Sequence, residues 1–382
     1  MYRDIYSADH GDFRSAVAQF IKQEISPNIT AWEAAGMVPR DLYRKTAELG
    51  INGLQIAEEY GGGGQKSFMF NAVVLEETGY AAATLGGLQV HLNTVLAYFL
   101  EFANAEQRER WMPGLADGSL VTAIAMTEPG TGSDLAGMAT TAVRDGDHYV
   151  LNGAKTFITG GIQADLVVVV ARTSTDAGDR RKGLSLLVVE SGMPGFERGR
   201  NLDKMGLKAQ DTAELSFSDV RVPVSNLLGT EGDAFTMLTH NLAQERLTVA
   251  ISAQATATAA LNLAIDYVKE RKVFGQPVAN FQNTKFVLAQ CAAELAASQA
   301  LVDRALVNLD NGRLSVADAA AAKLICTETQ SRVIDQSLQL HGGYGYMSEY
   351  PISRLYTDAR VTRIFGGTNE VMRSVVSKSL GL

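Results

Sequence analysis

Apolar residues over the first third of the chain recur every three or four positions, as in "FRSAVAQFIKQEI" and "TVLAYFLEFANAEQRERWMPGL". This spacing predicts helices from about residue 8 to 116, broken at Pro27, Pro39 and the run Gly61 to Gly64. Between about 120 and 228 the pattern shortens: "VTAIAM", "HYVLNGAKTFIT", "DLVVVVAR", "GLSLLVVE" and "AELSFSDVRVP" are β-branched runs separated by Gly, Asp or Asn. Helical spacing then returns on a longer scale, over about 233–271, 281–311 and 315–340. "HGGYGYMSEYP" turns the chain into shorter final helices, so three long helices and a short one predict a four-helix bundle. Strands and helices are segregated, which gives an α+β class and excludes a doubly wound sheet. The expected domains are a helical one over 1–118, a middle β-domain over 119–228 and a bundle over 229–382.

Composition narrows the function classes. With 382 residues, 46% hydrophobic and 20% charged, the chain has the make-up of a soluble globular protein of two or three domains. A net charge of −8 argues against a nucleic-acid surface, while leaving room for a local basic site for a phosphorylated ligand. The only cysteines, Cys291 and Cys326, lie far apart in alanine-rich helical stretches and are expected to be buried thiols. "MYRDIYSADHGDF" has no apolar leader core and no stretch approaches 18 uninterrupted apolar residues, so a cytoplasmic protein without a membrane span is expected. The absence of a Gly-Lys dipeptide, an HExxH and paired CxxC excludes a P-loop and the common zinc sites, and five scattered histidines predict no metal. "EEYGGGGQK" follows no strand and reads as a surface loop.

Three stretches carry candidate chemistry. "AMTEPGTGSDLAG", Ala125 to Gly137, leaves a strand and gathers Thr127, Thr131 and Ser133 around two glycines. It is either an ordinary β-turn or a loop presenting N–H and O–H donors to a polar ligand. In "KTFITGG", Phe157 beside Thr159 would give a flat ring both a face and a hydrogen bond. Glu245 shares a helical stripe with Leu238, Leu242 and Val249, where lost solvation raises a carboxyl pKa toward that of a general base. The competing reading is an exposed glutamate, or one paired with Arg246. Near the C-terminus, "RIFGGTNEVMR" reads both as an inter-helix turn and as a place where backbone can approach a ligand beside a helix N-terminus.

Five stretches, "AMTEPGTGSDLAG", "DVRVP", "ERKVFGQPVANFQ", "LQLHGGYGYMSEYP" and "GGTNEVMR", stand in the order and spacing of the acyl-CoA dehydrogenases, which the chain resembles over nearly its whole length. The resemblance implies a helical domain, a β-domain and a four-helix bundle, assembled as a homotetramer (a dimer of dimers) with FAD between domains and subunits. It implies α,β-dehydrogenation of an acyl-CoA: a carboxylate removes the α-proton, the β-hydrogen leaves as hydride to the flavin, and trans-2-enoyl-CoA results. Electrons then pass to electron-transferring flavoprotein. By matching position, Ile124, Met126, Thr127 and Ser133 resemble the loop along the flavin, and Phe157, Ile158 and Thr159 the segment against its ring. Arg271, Phe274 and Gln282 resemble residues that reach a neighbouring subunit's FAD. Gln339, Leu340, His341, Gly342 and Gly343 resemble the stretch holding its other end, and Thr368, Asn369 and Glu370 the contact at the last helix.

Most members carry the catalytic glutamate just before a Gly-Thr pair, where this chain has Gly366. The long-chain and isovaleryl types place it instead on a bundle helix before an arginine, and "AQERL" puts Glu245 there. The wording is most similar to the long-chain dehydrogenases, implying medium-long, long or branched substrates. Thr236, Gln244, Arg246, Ser133, Gly366 and Gly367 are the implied acyl-CoA contacts, with Arg181 and Lys182 toward the CoA end. An acyl-CoA oxidase using oxygen, or a non-catalytic acyl-CoA-binding protein on the same fold, are the alternatives, and the acyl-pocket floor is expected around "GGLQVHLNTVLAY".

Overall fold

Capping residues decide where the N-terminal helices start and stop. Asn104 accepts from the Gln107 N–H while the Gln107 side chain accepts from the Asn104 N–H, which splits the apolar run from Thr94 to Leu115 at that point. In the computed structural model, which describes residues 3–175 and 179–382, this region holds α1 (Ala8–Phe20), α2 (Ile29–Ala35), α3 (Asp41–Glu48), α4 (Met69–Tyr80), α5 (Leu88–Val90), α6 (Leu96–Phe102) and α7 (Ala105–Ala116). A π-turn, His91–Val95, joins α5 to α6. The start of the chain is fastened to α4. Buried Glu76 receives Arg3 at 2.7 Å, Arg14 at 2.6 Å and the Tyr6 hydroxyl at 2.9 Å, which compensates a carboxylate that would otherwise be costly to bury.

The middle region is an eight-stranded sheet of β1 (Thr122–Ala125), β2 (Thr141–Asp145), β3 (His148–Thr159), β4 (Leu166–Arg172), β5 (Leu184–Glu190), β6 (Phe196–Asn201), β7 (Thr212–Pro223) and β8 (Leu227–Leu228). Its order is β6-β7-β3-β2-β4-β5-β8, with β1 parallel to β4. The run "LVVVVA" has no polar alternation because both of its faces are covered. Val168 and Val170 pack toward α6 and α7, while Val167, Val169 and Ala171 pack with Tyr149, Leu151 and Phe217. Strands β2 and β6 escaped the sequence reading, since β2 buries only Ala142 and β6 buries no residue fully.

The C-terminal region holds α8 (Ala234–Glu270), a hairpin of β9 (Lys272–Val273) and β10 (Gln276–Pro277), then α9 (Gln282–Asp310), α10 (Val316–His341), α11 (Pro351–Ala359) and α12 (Asn369–Ser379). Helix α10 packs on α8, α9 and α12, which completes the bundle. By length and mean composition α8 alone among the described helices is apolar enough to cross a membrane, although polar residues interrupt it throughout. In this fold 61% of its apolar window is buried inside the protein, so α8 is the core helix. Cys291 and Cys326 are free and buried, as expected.

Candidate active site

Helix α8 brings Glu245 to the wall of a cavity of about 190 Å³, where Gln89, Val90 and Thr94 from the π-turn region, Val249, Ser252, Gln330, Asp358 and Gly366 also lie. Three of these come from "GGLQVHLNTVLAY", the stretch expected to form the pocket floor. Glu245 is buried, and the Tyr98 hydroxyl donates to its Oε1 at 2.9 Å. Burial raises the Glu245 pKa to about 7, against the opposing pull of the Tyr98 hydrogen bond and the Arg246 charge. Arg246 is itself buried, with no hydrogen-bond partner on Nε among the described residues, and burial depresses its pKa. It makes no salt bridge to Glu245 among the described residues, so the paired-glutamate reading does not hold here. The structure shows a desolvated acid at the wall of a cavity.

Gly366 and Gly367 both adopt positive φ, +63° and +88°, and Thr368 caps α12 by accepting from the Val371 N–H. A Cβ at Gly366 would meet, among the described residues, only Val249 at 3.6 Å. The turn is held from behind by Lys323, which is fully buried and donates to Gly367 O at 2.8 Å and to Asn369 Oδ1 at 2.9 Å. Burial lowers the Lys323 pKa to about 8, and the Arg246 charge adds to the effect. Thus Asn369 faces the protein interior, while Glu370 on the next position is exposed.

The loop after β1 is pinned at its base. Lys155 donates to Glu128 Oε1 at 2.8 Å and to Met126 O at 3.1 Å, and Glu128 also accepts from the Ala139 and Thr140 N–H groups. Burial alone would raise the Glu128 pKa, but these hydrogen bonds hold it down to about 2. Thr131 spends its hydroxyl on Gly137 O, whereas Thr127 and Ser133 donate to no described residue. On β3, strand alternation would point Phe157 inward beside Lys155. A register shift between Lys155 and Ile158 reverses the parity, so Ile158 is buried and Phe157 stands out at 69% exposure with φ +59°. A non-glycine residue in this region carries backbone strain, and an exposed ring held there presents its face to a flat partner. Thr159 accepts from Gln210 at 3.1 Å. Free hydroxyls, a presented ring and a glycine turn at a helix N-terminus fit one end of FAD.

A second cluster lies elsewhere on the bundle. Arg271, Tyr267, Val278, and Gln339 through Tyr344 line a separate cavity of about 380 Å³, with the Tyr267 ring stacked on His341 at 4.4 Å. Arg271 has no ion-pair partner among the described residues and its guanidinium lies over Tyr344 at 5.6 Å. Gly342 takes φ +59° and the space above Gly343 is open, so backbone N–H groups and a free cation suit the phosphates of a dinucleotide. Phe274, also in the positive-φ region at +49°, is 95% exposed at the nearby hairpin, and Gln282 opens α9. None of these residues borders the Glu245 cavity.

The implied substrate residues divide in the same way. Gly366 borders the cavity with Glu245, but Gln244 borders a third one, of about 500 Å³, with Asn241, Leu100, Glu101 and Leu314. Thr236 is exposed about two turns earlier on α8, and Arg181 sits over the Phe235 ring at 5.6 Å with exposed Lys182 beside it. No group of three or more His, Cys, Asp or Glu side chains suited to a metal occurs among the described residues.

Four residues that shape the site were not singled out from sequence: Tyr98, Lys323, Lys155 and Glu128. A signal existed for Lys155, because the odd positions Tyr149 and Leu151 of β3 point inward and a lysine on that parity needs a buried partner.

The sequence matches three family descriptions: "Acyl-CoA dehydrogenase, N-terminal domain" over residues 7–119, "middle domain" over 123–220 and "C-terminal domain" over 232–381. The mouse mitochondrial long-chain specific acyl-CoA dehydrogenase is 43% identical over 378 residues, covering 99% of this chain and 88% of its own. The crystal structure of an acyl-CoA dehydrogenase from Geobacillus kaustophilus superimposes with a TM-score of 0.98 at 45% identity, covering 100% of both chains. A glutaryl-CoA dehydrogenase from Mycobacterium smegmatis, solved in complex with FADH2, superimposes with a TM-score of 0.90 at 27% identity, over 98% of this chain and 95% of that one.

Proposed function

The chain belongs to the acyl-CoA dehydrogenase family, a family of FAD oxidoreductases, and from that premise we propose that it converts medium-long, long or branched acyl-CoA thioesters to trans-2-enoyl-CoA with Glu245 as the base. The observation that carries the assignment is that Glu245 and Gly366 border one cavity, so an acid on α8 reaches the space in front of the turn. When bound, FAD supplies the acceptor for the β-hydrogen. Thr127, Ser133, Phe157 to Thr159 and the start of α12 would hold one end. Arg271, Phe274, Gln282 and residues 339–343 would hold the other end from a neighbouring copy.

Glu245 removes the α-proton, and burial supplies the proton affinity that a base needs near neutral pH. Arg246 brings a buried guanidinium whose Nε is still without an acceptor, which favours placing a substrate oxygen beside it. Gly366 brings no side chain of its own to the cavity wall, so the thioester can lie close to the backbone there. A homotetramer is the assembly in this reading, and it would cover exposed apolar residues of the C-terminal region such as Phe274, Phe286, Ile325, Tyr346 and Met347. Electron-transferring flavoprotein takes the electrons in this reading.

Anaerobic addition of a panel of acyl-CoA thioesters to the purified yellow protein tests it. Bleaching by chains of eight or more carbons, with enoyl-CoA as product, is the expected outcome, and a flavin that no thioester bleaches would overturn the assignment. Moving the acid, by Glu245→Gly with Gly366→Glu, should regain roughly one to two orders of magnitude in kcat over Glu245→Gly alone, with altered chain preference. Space at Gly366 permits it, but its φ of +63° costs a glutamate about 1–2 kcal/mol, so recovery stays partial.

A further inference from the structure

We infer that Tyr98 is a positioning residue for the reaction: it clamps Oε1 of Glu245 and leaves Oε2 as the oxygen that meets the substrate's α-hydrogen. The inference rests on the reading of Glu245 as the base.

Tyr98 sits on α6 with no exposed surface, in the core cluster that joins the helical region, the sheet and the start of α8. Packing alone would be served by phenylalanine, as it is at Phe99 next door. The hydroxyl is the difference, and its single hydrogen bond crosses to Glu245 Oε1 at 2.9 Å from 147 residues away. Oε2 has no protein partner among the described residues, while the side chain borders the cavity. A carboxylate with one oxygen fixed by an O–H donor cannot rotate freely, so its remaining lone pairs keep one direction.

The same bond sets when Glu245 is charged. The groups that bear on it are few. Arg246 comes from α8 itself, and Glu101 on α6 faces Tyr98. Lys323 of α10 faces Arg246, and Asp358 of α11 borders the far part of the cavity. Glu76 of α4 is taken up by Arg3, Arg14 and Tyr6, and His91 of the π-turn bonds to Thr122. Among the described residues only Tyr98 makes a hydrogen bond to the carboxylate. Because that bond stabilises the charged form, removing it must raise the pH at which the base becomes active.

The test is Tyr98→Phe in the flavin-loaded enzyme. The ascending limb of kcat/KM against pH should move upward by about one pH unit, the size expected for one hydrogen bond to a charged group. At pH 6.5 kcat should drop by about tenfold with KM little changed, and the deficit should narrow by pH 9, where the base is charged in both proteins. Placing 3-fluorotyrosine at position 98, a more acidic donor in the same shape, should move the limb the other way. Opposite shifts support the clamp. Coincident profiles for parent, Phe and fluorotyrosine proteins, with Glu245→Gln inactive, overturn the role of Tyr98 and leave the base assignment standing. Normal turnover by Glu245→Gln would instead remove the base itself, and the inference with it.

Discussion

Glu245→Gln should keep its flavin and its fold yet lose about 10²–10⁴-fold in kcat, the range contributed by a positioned general base. Glutamine retains the shape and can still accept from Tyr98, so the change isolates the proton-accepting function. Stability gives a second, independent readout. The carboxyl pKa rises from 4.5 in the unfolded chain to about 7 in the fold, chiefly because burial disfavours the charge. A raised carboxyl contributes its stability in full below the unfolded value and loses it as pH climbs through 7. The permanently neutral glutamine escapes that loss and should be more stable than the parent at pH 8 to 9, by up to about 3 kcal/mol. A variant that is inactive, yellow and harder to melt at alkaline pH cannot be dismissed as misfolded. One that turns over normally would sink the assignment.

Lys155→Met should lower equilibrium stability at pH 7 by about 3–5 kcal/mol, because it leaves the Glu128 carboxylate buried without its counter-charge. The Glu128 pKa is held down to about 2, so the pair stabilises the fold above the unfolded carboxyl value and loses its effect as pH falls toward 2. In the variant burial without the counter-charge raises the Glu128 pKa, so protonation relieves it as pH falls, and the deficit should be largest near neutrality and shrink on acidification. Urea unfolding at pH 7 and pH 4.5 measures both, and an equal loss at the two pH values would count against the ion pair as the cause. Adding Glu128→Gln should restore much of the loss, since Gln can still accept one of the two N–H groups from Ala139 and Thr140. Because Lys155 also holds Met126 O, the single variant should release flavin more readily as well.

Much of this arrangement was legible before any coordinates. The two periodicities, 3.6 and 2, separate the helical ends from the β middle because each is a local consequence of which face is buried. Glu245 stood out for the same reason, as one acid within an apolar stripe of α8. Tyr98 did not, because "TVLAYFLEF" is apolar almost throughout and gives its hydroxyl no phase. Its partner lies 147 residues on, a distance no local pattern spans. Lys323 reads as a solvent-facing lysine among alanines until Gly367 and Asn369 fold back over it. The orientation of Phe157 was hidden by a single irregularity in β3, since one shifted residue turns every later side chain to the opposite face.

The vacant side chain at Gly366 changes what the C-terminal turn has to do. In an arrangement with the acid on that turn, any flexing of the loop would carry the reactive oxygen with it. In the proposed reading the oxygen belongs to Glu245, on a helix of 37 residues in the bundle, and the two positive-φ glycines form a separate turn anchored from behind by Lys323. Accuracy and accommodation are thereby assigned to different parts of the chain. On that reading a substitution in the turn changes the wall an acyl group meets and leaves the proposed base where the core keeps it.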